Sequence, residues 1–200
     1  MRKLFLSLAA LAVVASPVLA GKFNKKLSVG DKAPIFTGIP AIQGEEQTSV
    51  SLPDIKEEVV VLAFSGNHCP VVQAYEDRMI DFVNWAKGKS VKFVCVSVND
   101  NDQDRLPAIK NYIKDKGVNY VYGFDESQKM GRDYGATNTP QFFVLDKDRV
   151  IRYMGALDDN QNEGRVKKTY LKDAVTAVLD GKDPEVSETQ PKGCGVQYKR

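Results

Sequence analysis

Cys69 closes a strand-like apolar pattern and stands one residue before Pro70, which opens a helical one. Proline suits the first position of a helix, where its missing N–H is not needed. A sulfur at that junction faces the free amides and positive dipole end of the helix, which favour thiolate over thiol and lower a cysteine pKa from about 8.5. Cys69 is therefore expected to be a reactive sulfur. His68 beside it is the only histidine of the chain, and as a cation it would raise the local positive potential. One histidine and one or two cysteines could also hold copper, but no further closely spaced ligands accompany them and no metal site is expected. Thr139–Pro140, directly before QFFVLD, is a candidate cis peptide. Cys95 lies among valines and Phe93 and reads as core packing.

The elements that must position these residues follow from periodicity. The run EVVVLAF at 58–64 is nearly continuous and β-branched, as in a strand buried on both faces. Val72, Tyr75, Met79, Phe82, Val83 and Ala86 then recur at helical spacing, predicting a helix over 71–87 that ends at Gly88. A second buried strand at 91–98 and a helix at 104–116, closed by Gly117, complete a β-α-β-α order that requires parallel pairing. A short strand near 120–122 and a short helix near 126–134 come next. Strands at 141–146 and 149–154 are too close for anything but an antiparallel hairpin. A last amphipathic helix is predicted at 165–179. Residues 21–53, rich in Gly and Pro, read as turns and a hairpin, and 180–200 as a flexible polar tail carrying Cys194.

Residues 1–20 have two cations, an apolar run and small residues at 18 and 20, the pattern of an export signal. The run is too short for a bilayer, which needs about 20 apolar residues. Without this segment, Arg2 and Lys3 are lost and 26 bases face 26 acids. A neutral chain with no basic block lacks the footprint of a nucleic-acid binder. The three cysteines, an odd number, would sit where disulfides persist. A domain of about 180 residues buries nearly 70% of its unfolded surface and needs no disulfide framework to fold. One redox pair plus one packing residue is the expectation.

The element order, the opening GDKAPIFTG at 30–38, Gly66-Asn67-His68-Cys69-Pro70, Asn99-Asp100 and the ending QPKGCGVQYK at 190–199 resemble the redoxin branch of the thioredoxin fold, in particular a peroxiredoxin-like bacterial subfamily. The resemblance implies an α/β fold with a central mixed sheet flanked by helices, an N-terminal β-extension and a C-terminal tail. It also implies a thiol-dependent oxidoreductase. The loop departs from the pattern, because Gly66 stands where the first cysteine of a C-x-x-C pair would be. The peroxiredoxin motif is absent too. Arg152, on the strand after the hairpin turn, is similar in place to a peroxiredoxin arginine that stabilises thiolate or peroxide.

Cys194 is then the expected partner of Cys69. The tail has the reach, glycines flank the cysteine, and the link would span 125 residues. The expected organisation is a signal at 1–20, a thioredoxin-like domain at 21–180 and a tail at 181–200. Cys69, Cys194, His68 and Arg152 are the catalytic candidates, with Gly66, Asn67, Thr139 and Pro140 lining the substrate site. The expected substrate is a small peroxide or a protein disulfide, reduced at the expense of an external thiol. No cofactor is expected, since no flavin or nicotinamide fingerprint is present. The alternatives are a non-catalytic scaffold with a permanent Cys69–Cys194 link, and a copper-handling domain. Replacing Gly66 by Cys is expected to create dithiol exchange.

Overall fold

The computed structural model describes residues 21–199; the expected export signal at 1–20 lies outside them. In chain order the elements are β1 (Ile39–Gln43), β2 (Glu46–Val50), β3 (Val59–Phe64), α1 (Pro70–Ala86), β4 (Val91–Ser97), α2 (Leu106–Lys116), β5 (Val121–Phe124), α3 (Lys129–Tyr134), β6 (Asn138–Thr139), β7 (Gln141–Leu145), β8 (Ile151–Gly155), α4 (Tyr170–Leu179) and β9 (Cys194–Gly195). Seven strands form one sheet in the order β2-β1-β5-β4-β3-β7-β8. The two β-α-β crossovers make β3, β4 and β5 parallel. The hairpins join antiparallel, β1 to β2 and to β5, and β7 to β3 and to β8. This is the mixed α/β sheet the sequence implies.

The β-branched run becomes β3, at the heart of the sheet, with every residue at most 1% exposed. Its side chains alternate between two cores, as period-2 geometry demands. Val59, Val61 and Ala63 pack with α1, α2 and α4 through Val72, Met79, Ile109, Leu171 and Val175. Val60, Leu62 and Phe64 face the other side, where Met130 and Tyr134 of α3, Phe36 and Leu52 cover the sheet. Strand and helix together fix the β3–α1 turn, so residues 65–69 sit at the carboxyl ends of the parallel strands, where α/β sheets open their crevice.

Some expectations change, and α2 begins at Leu106 and not at 104. The last helix begins at Tyr170 and not near 165. The residues before it are drawn off by Asp159, whose carboxylate accepts the amides of Lys167 and Lys168, while its own amide donates to the Lys168 carbonyl. The segment after α4 is no free tail. The amide of Met154 donates to Ser187 O and that of Thr189 to Met154 O. Thr189 Oγ1 is shared with Tyr153 Oη and the amide of Ala156, and the Glu188 carboxylate collects the amides of Lys22, Phe23 and Asn24.

Candidate active site

Cys69 is the N-cap of α1, with Pro70 in the first helical turn, as the strand–turn–helix pattern predicts. It is bonded to Cys194 in a disulfide whose Cα atoms are 6.0 Å apart. The two cysteines, 125 positions apart in sequence, enter the bond from two directions: Cys69 from the β3–α1 turn, Cys194 from the last strand. β9 holds Cys194 in place by pairing antiparallel with β6, Thr139 opposite Cys194 and Asn138 opposite Gly195. Thr139–Pro140 is cis, and the Thr139 carbonyl oxygen lies 3.3 Å from Cys69 Sγ. One turn thus presents backbone both to the helix-cap sulfur and to the strand carrying the other sulfur.

The tail continues across the site and is gripped mainly through its backbone. Val196 N donates to Thr137 O, and Asp100 N to Gln197 O. Gln197 N donates to Asn99 Oδ1. Gln128, in a left-handed conformation with φ of 60°, donates from Nε2 to the carbonyls of Val98 and Gln197 and accepts Lys199 N at Oε1. Tyr198 donates to Ala136 O and carries the Arg132 guanidinium on its ring at 4.6 Å. Gly193 (φ 154°) passes so close to the Thr139 carbonyl that a Cβ there would overlap it. The expectation that glycine flanks Cys194 to allow close approach is met at this position, while Gly195 faces open space.

His68 points to a buried carboxylate. Its Nδ1 is 2.8 Å from Asp104 Oδ2, and the side chains of His68 and Asp104 are 14% and 0% exposed. Asp104 also accepts the His68 amide at 3.2 Å and Asn99 Nδ2 at 2.7 Å. His68 Nε2 faces Gln197 Nε2 at 3.4 Å. Asn67 donates from Nδ2 to Gln103 O and accepts Gln73 Nε2 at its carbonyl. Asp104, expected from periodicity to open the second helix, instead closes a short 3-10 turn before α2 and turns its carboxylate to His68. The signal was there in one form: a single acid between the NDND run and a helix that starts with Leu-Pro at 106.

This cluster fills the room beside Gly66. A Cβ at 66 would lie 2.6 Å from Asn99 Nδ2 and 2.7 Å from Asp104 Oδ2. In Gly66→Cys, the change expected to create dithiol exchange, the new side chain has to displace the hydrogen-bonded ends of Asn99 and Asp104.

Of the remaining candidates, Cys69, Cys194, Thr139, Pro140, Asn67 and Gly66 converge. Arg152 does not. It lies on β8 near the end of β7 opposite Pro140, with Nε 2.7 Å from Asp146 Oδ2 and Nη1 3.1 Å from Asp183 Oδ1. Cys95 is free and fully buried. Burial first, and then the nearby Glu76 carboxylate, push its thiol well above the ordinary range, so it is not a thiolate nucleophile. Glu76 is itself buried on α1 and hydrogen-bonded by Tyr112 and Tyr120, and burial raises its pKa. Around the disulfide, Ser65 Oγ, Asn67 Oδ1 and Thr139 Oγ1 are buried without partners. Each is a polar group whose burial costs about 1–3 kcal/mol until a partner reaches it. Among the described residues no group of three or more His, Cys, Asp or Glu is arranged to hold a metal, and no helix is long and apolar enough to cross a membrane.

Known proteins bear out this architecture. The Redoxin family profile matches residues 28–172. Thiol-disulfide oxidoreductase ResA of Bacillus thuringiensis (strain Al Hakam) is 27% identical over 147 residues, 72% of this chain and 80% of that protein. Two solved structures are similar over 88% of this chain. An uncharacterized conserved protein from Geobacillus kaustophilus has a TM-score of 0.78 at 28% identity and is covered over 95% of its length. A hypothetical protein from Sinorhizobium meliloti 1021 has a TM-score of 0.79 at 27% identity and is covered over 97%.

Proposed function

The chain belongs to the redoxin family and is a thiol oxidoreductase of the thioredoxin class, and from that premise we propose that Cys69 and Cys194 are its redox couple, passing a disulfide to or from a protein substrate. The observation that carries this reading is the bond between them, formed at the N-terminus of α1 beside the cis Thr139–Pro140 turn. Helix amides lower the energy of a Cys69 thiolate, so the bond can be opened with one sulfur leaving readily. Asn67, Thr139 and Pro140 line the place where a substrate sulfur would enter, and His68 with Asp104 shapes the turn that presents Cys69. The working unit in this proposal is residues 21–180 with 181–200 as its strap, released outside the cytoplasm after removal of 1–20.

A disulfide suits the site better than a peroxide. The cation offered for peroxide chemistry, Arg152, is held by Asp146 and Asp183 at the other end of β7. A second reading, the permanent staple, draws on the backbone hydrogen bonds that grip 196–199 independently of the sulfurs.

The test is to reduce the purified protein with dithiothreitol, remove the reductant, and mix it with insulin or with hydrogen peroxide. Transfer of electrons to insulin, lost in Cys69→Ala and in Cys194→Ala, is the expected result. Turnover of peroxide but not insulin would replace the substrate class. A bond that resists dithiothreitol, with transfer to neither, would leave the staple.

A further inference from the structure

Resting on the reading of Cys69 and Cys194 as the redox couple, we infer that their division of labour is the reverse of the one the β3–α1 junction suggests. Cys194 is the sulfur that exchanges with outside thiols and disulfides, and Cys69 is the buried sulfur that leaves and resolves.

Three observations agree on this. Access comes first: Cys69 is 0% exposed and belongs to the core beneath α1, whereas Cys194 is only partly buried, at the edge of that core. An attacking thiolate must reach a sulfur along the line of the bond it breaks, and the approach to Cys69 is closed by protein while Cys194 is only half-buried. Leaving ability is second. Of the two sulfurs Cys69 alone stands at a helix N-terminus, that of the 17-residue α1, whose dipole favours the negative charge that a leaving sulfur takes up. The third concerns the loop itself. Position 66, which would carry an outer cysteine, is a glycine crowded by the side-chain ends of Asn99 and Asp104, so an outer sulfur must come from elsewhere in the chain. β9 brings one.

The chemistry balances without a cofactor. In reduction, one thiolate of a dithiol reductant bonds to Cys194 Sγ. The bond to Cys69 breaks and its electron pair leaves on Cys69 as thiolate. The second thiolate of the reductant attacks its own sulfur in the mixed disulfide, the pair leaves on Cys194, and the reductant departs as a disulfide two electrons poorer, its protons passing to water. In the other half-cycle Cys194 thiolate attacks a substrate disulfide and expels one substrate thiolate. Cys69 thiolate then attacks Cys194 Sγ, expels the second, and restores the bond.

Single-cysteine variants of the full chain test this without turnover. Cys69→Ser and Cys194→Ser are each reduced, freed of reductant and mixed with 5,5′-dithiobis(2-nitrobenzoate), and the release of thionitrobenzoate is followed. Cys69→Ser, reacting through Cys194, is expected to be faster by about tenfold or more, because a covered thiol reacts slowly whatever its pKa. In parallel, oxidised wild-type protein receives a brief limiting dose of glutathione, is quenched in acid and alkylated, and is mapped by peptide mass. The glutathione adduct is expected on the peptide carrying Cys194, with Cys69 alkylated. An adduct on Cys69, or a Cys194→Ser variant that reacts as fast as Cys69→Ser, would overturn the assignment. Since neither readout needs substrate turnover, absence of transfer to insulin would sink the proposed function while leaving this result standing on its own.

Discussion

The two ends of β7 carry similar ingredients and opposite outcomes. At one end Arg152 meets Asp146 and Asp183, with the three side chains 36%, 11% and 84% exposed. At the other, His68 meets Asp104, 14% and 0% exposed. Both are a cationic or basic side chain against a carboxylate. In the first, Asp146 is buried and accepts the amides of Asp148 and Val150, but Arg152 and Asp183 reach solvent, and a pair with such an exposed cation contributes about 0–1 kcal/mol. The second is buried, receives further donors from Asn99 Nδ2 and the His68 amide, and shapes the turn that ends in Cys69. A charge inventory would rank the arginine higher. Burial and the shape of the adjoining turn decide otherwise.

Removing the covalent link should have the largest effect on the second end. A bond spanning 125 residues is valued by chain-entropy reasoning at about 5 kcal/mol, so reduction should lower the thermal midpoint by about 10–20 °C. Calorimetry with and without dithiothreitol measures this, and a shift of a degree or two would mean that the backbone contacts of 196–199 hold the closed form by themselves. Gly193→Ala attacks the same end more locally. It forces a Cβ into the Thr139 carbonyl at a φ of 154°, which should cost the closed form about 3 kcal/mol. Titration against a glutathione redox buffer should then show the bond about a hundredfold easier to open.

Asp104→Asn should be milder. It keeps the size but turns an amide N–H₂ toward groups that now donate to the carboxylate, for about 2 kcal/mol of lost stability. Urea unfolding reads it, and an unchanged midpoint would deny the cluster its role. Arg152→Ala is the smallest, less than about 1 kcal/mol with disulfide exchange unaltered. Loss of exchange in that variant would erase the contrast between the two ends.

The same contrast marks what could be read from residues alone. The buried strand at 58–64, the helix from Pro70 and the glycine stop at Gly117 were legible because each rests on local periodicity or on a local cap. Gly117 indeed takes a left-handed φ of 66°. The approach of Cys194 to Cys69 was legible only through tail length, flanking glycines and family likeness. Where the His68 ring points was not, since a residue next to a nucleophile in sequence can face either way, and here it is Asp104, 36 residues along, that claims it. The non-helical stretch 166–169 was hidden for the same reason: a helical period in the sequence yields to Asp159, which takes two of its amides.

The grip on 196–199 is made mostly by main-chain atoms, and this sets what kind of change the segment tolerates. Replacing Lys192 or Lys199 alters no atom that the body of the protein holds by a side chain. Inserting one residue between Gly193 and Gln197 is another matter. Every amide and carbonyl beyond it slips one place, side chains meant for the body turn outward, and either the sulfur or the Asn99 and Gln128 contacts must be given up. Length, more than composition, is what this strap has to keep.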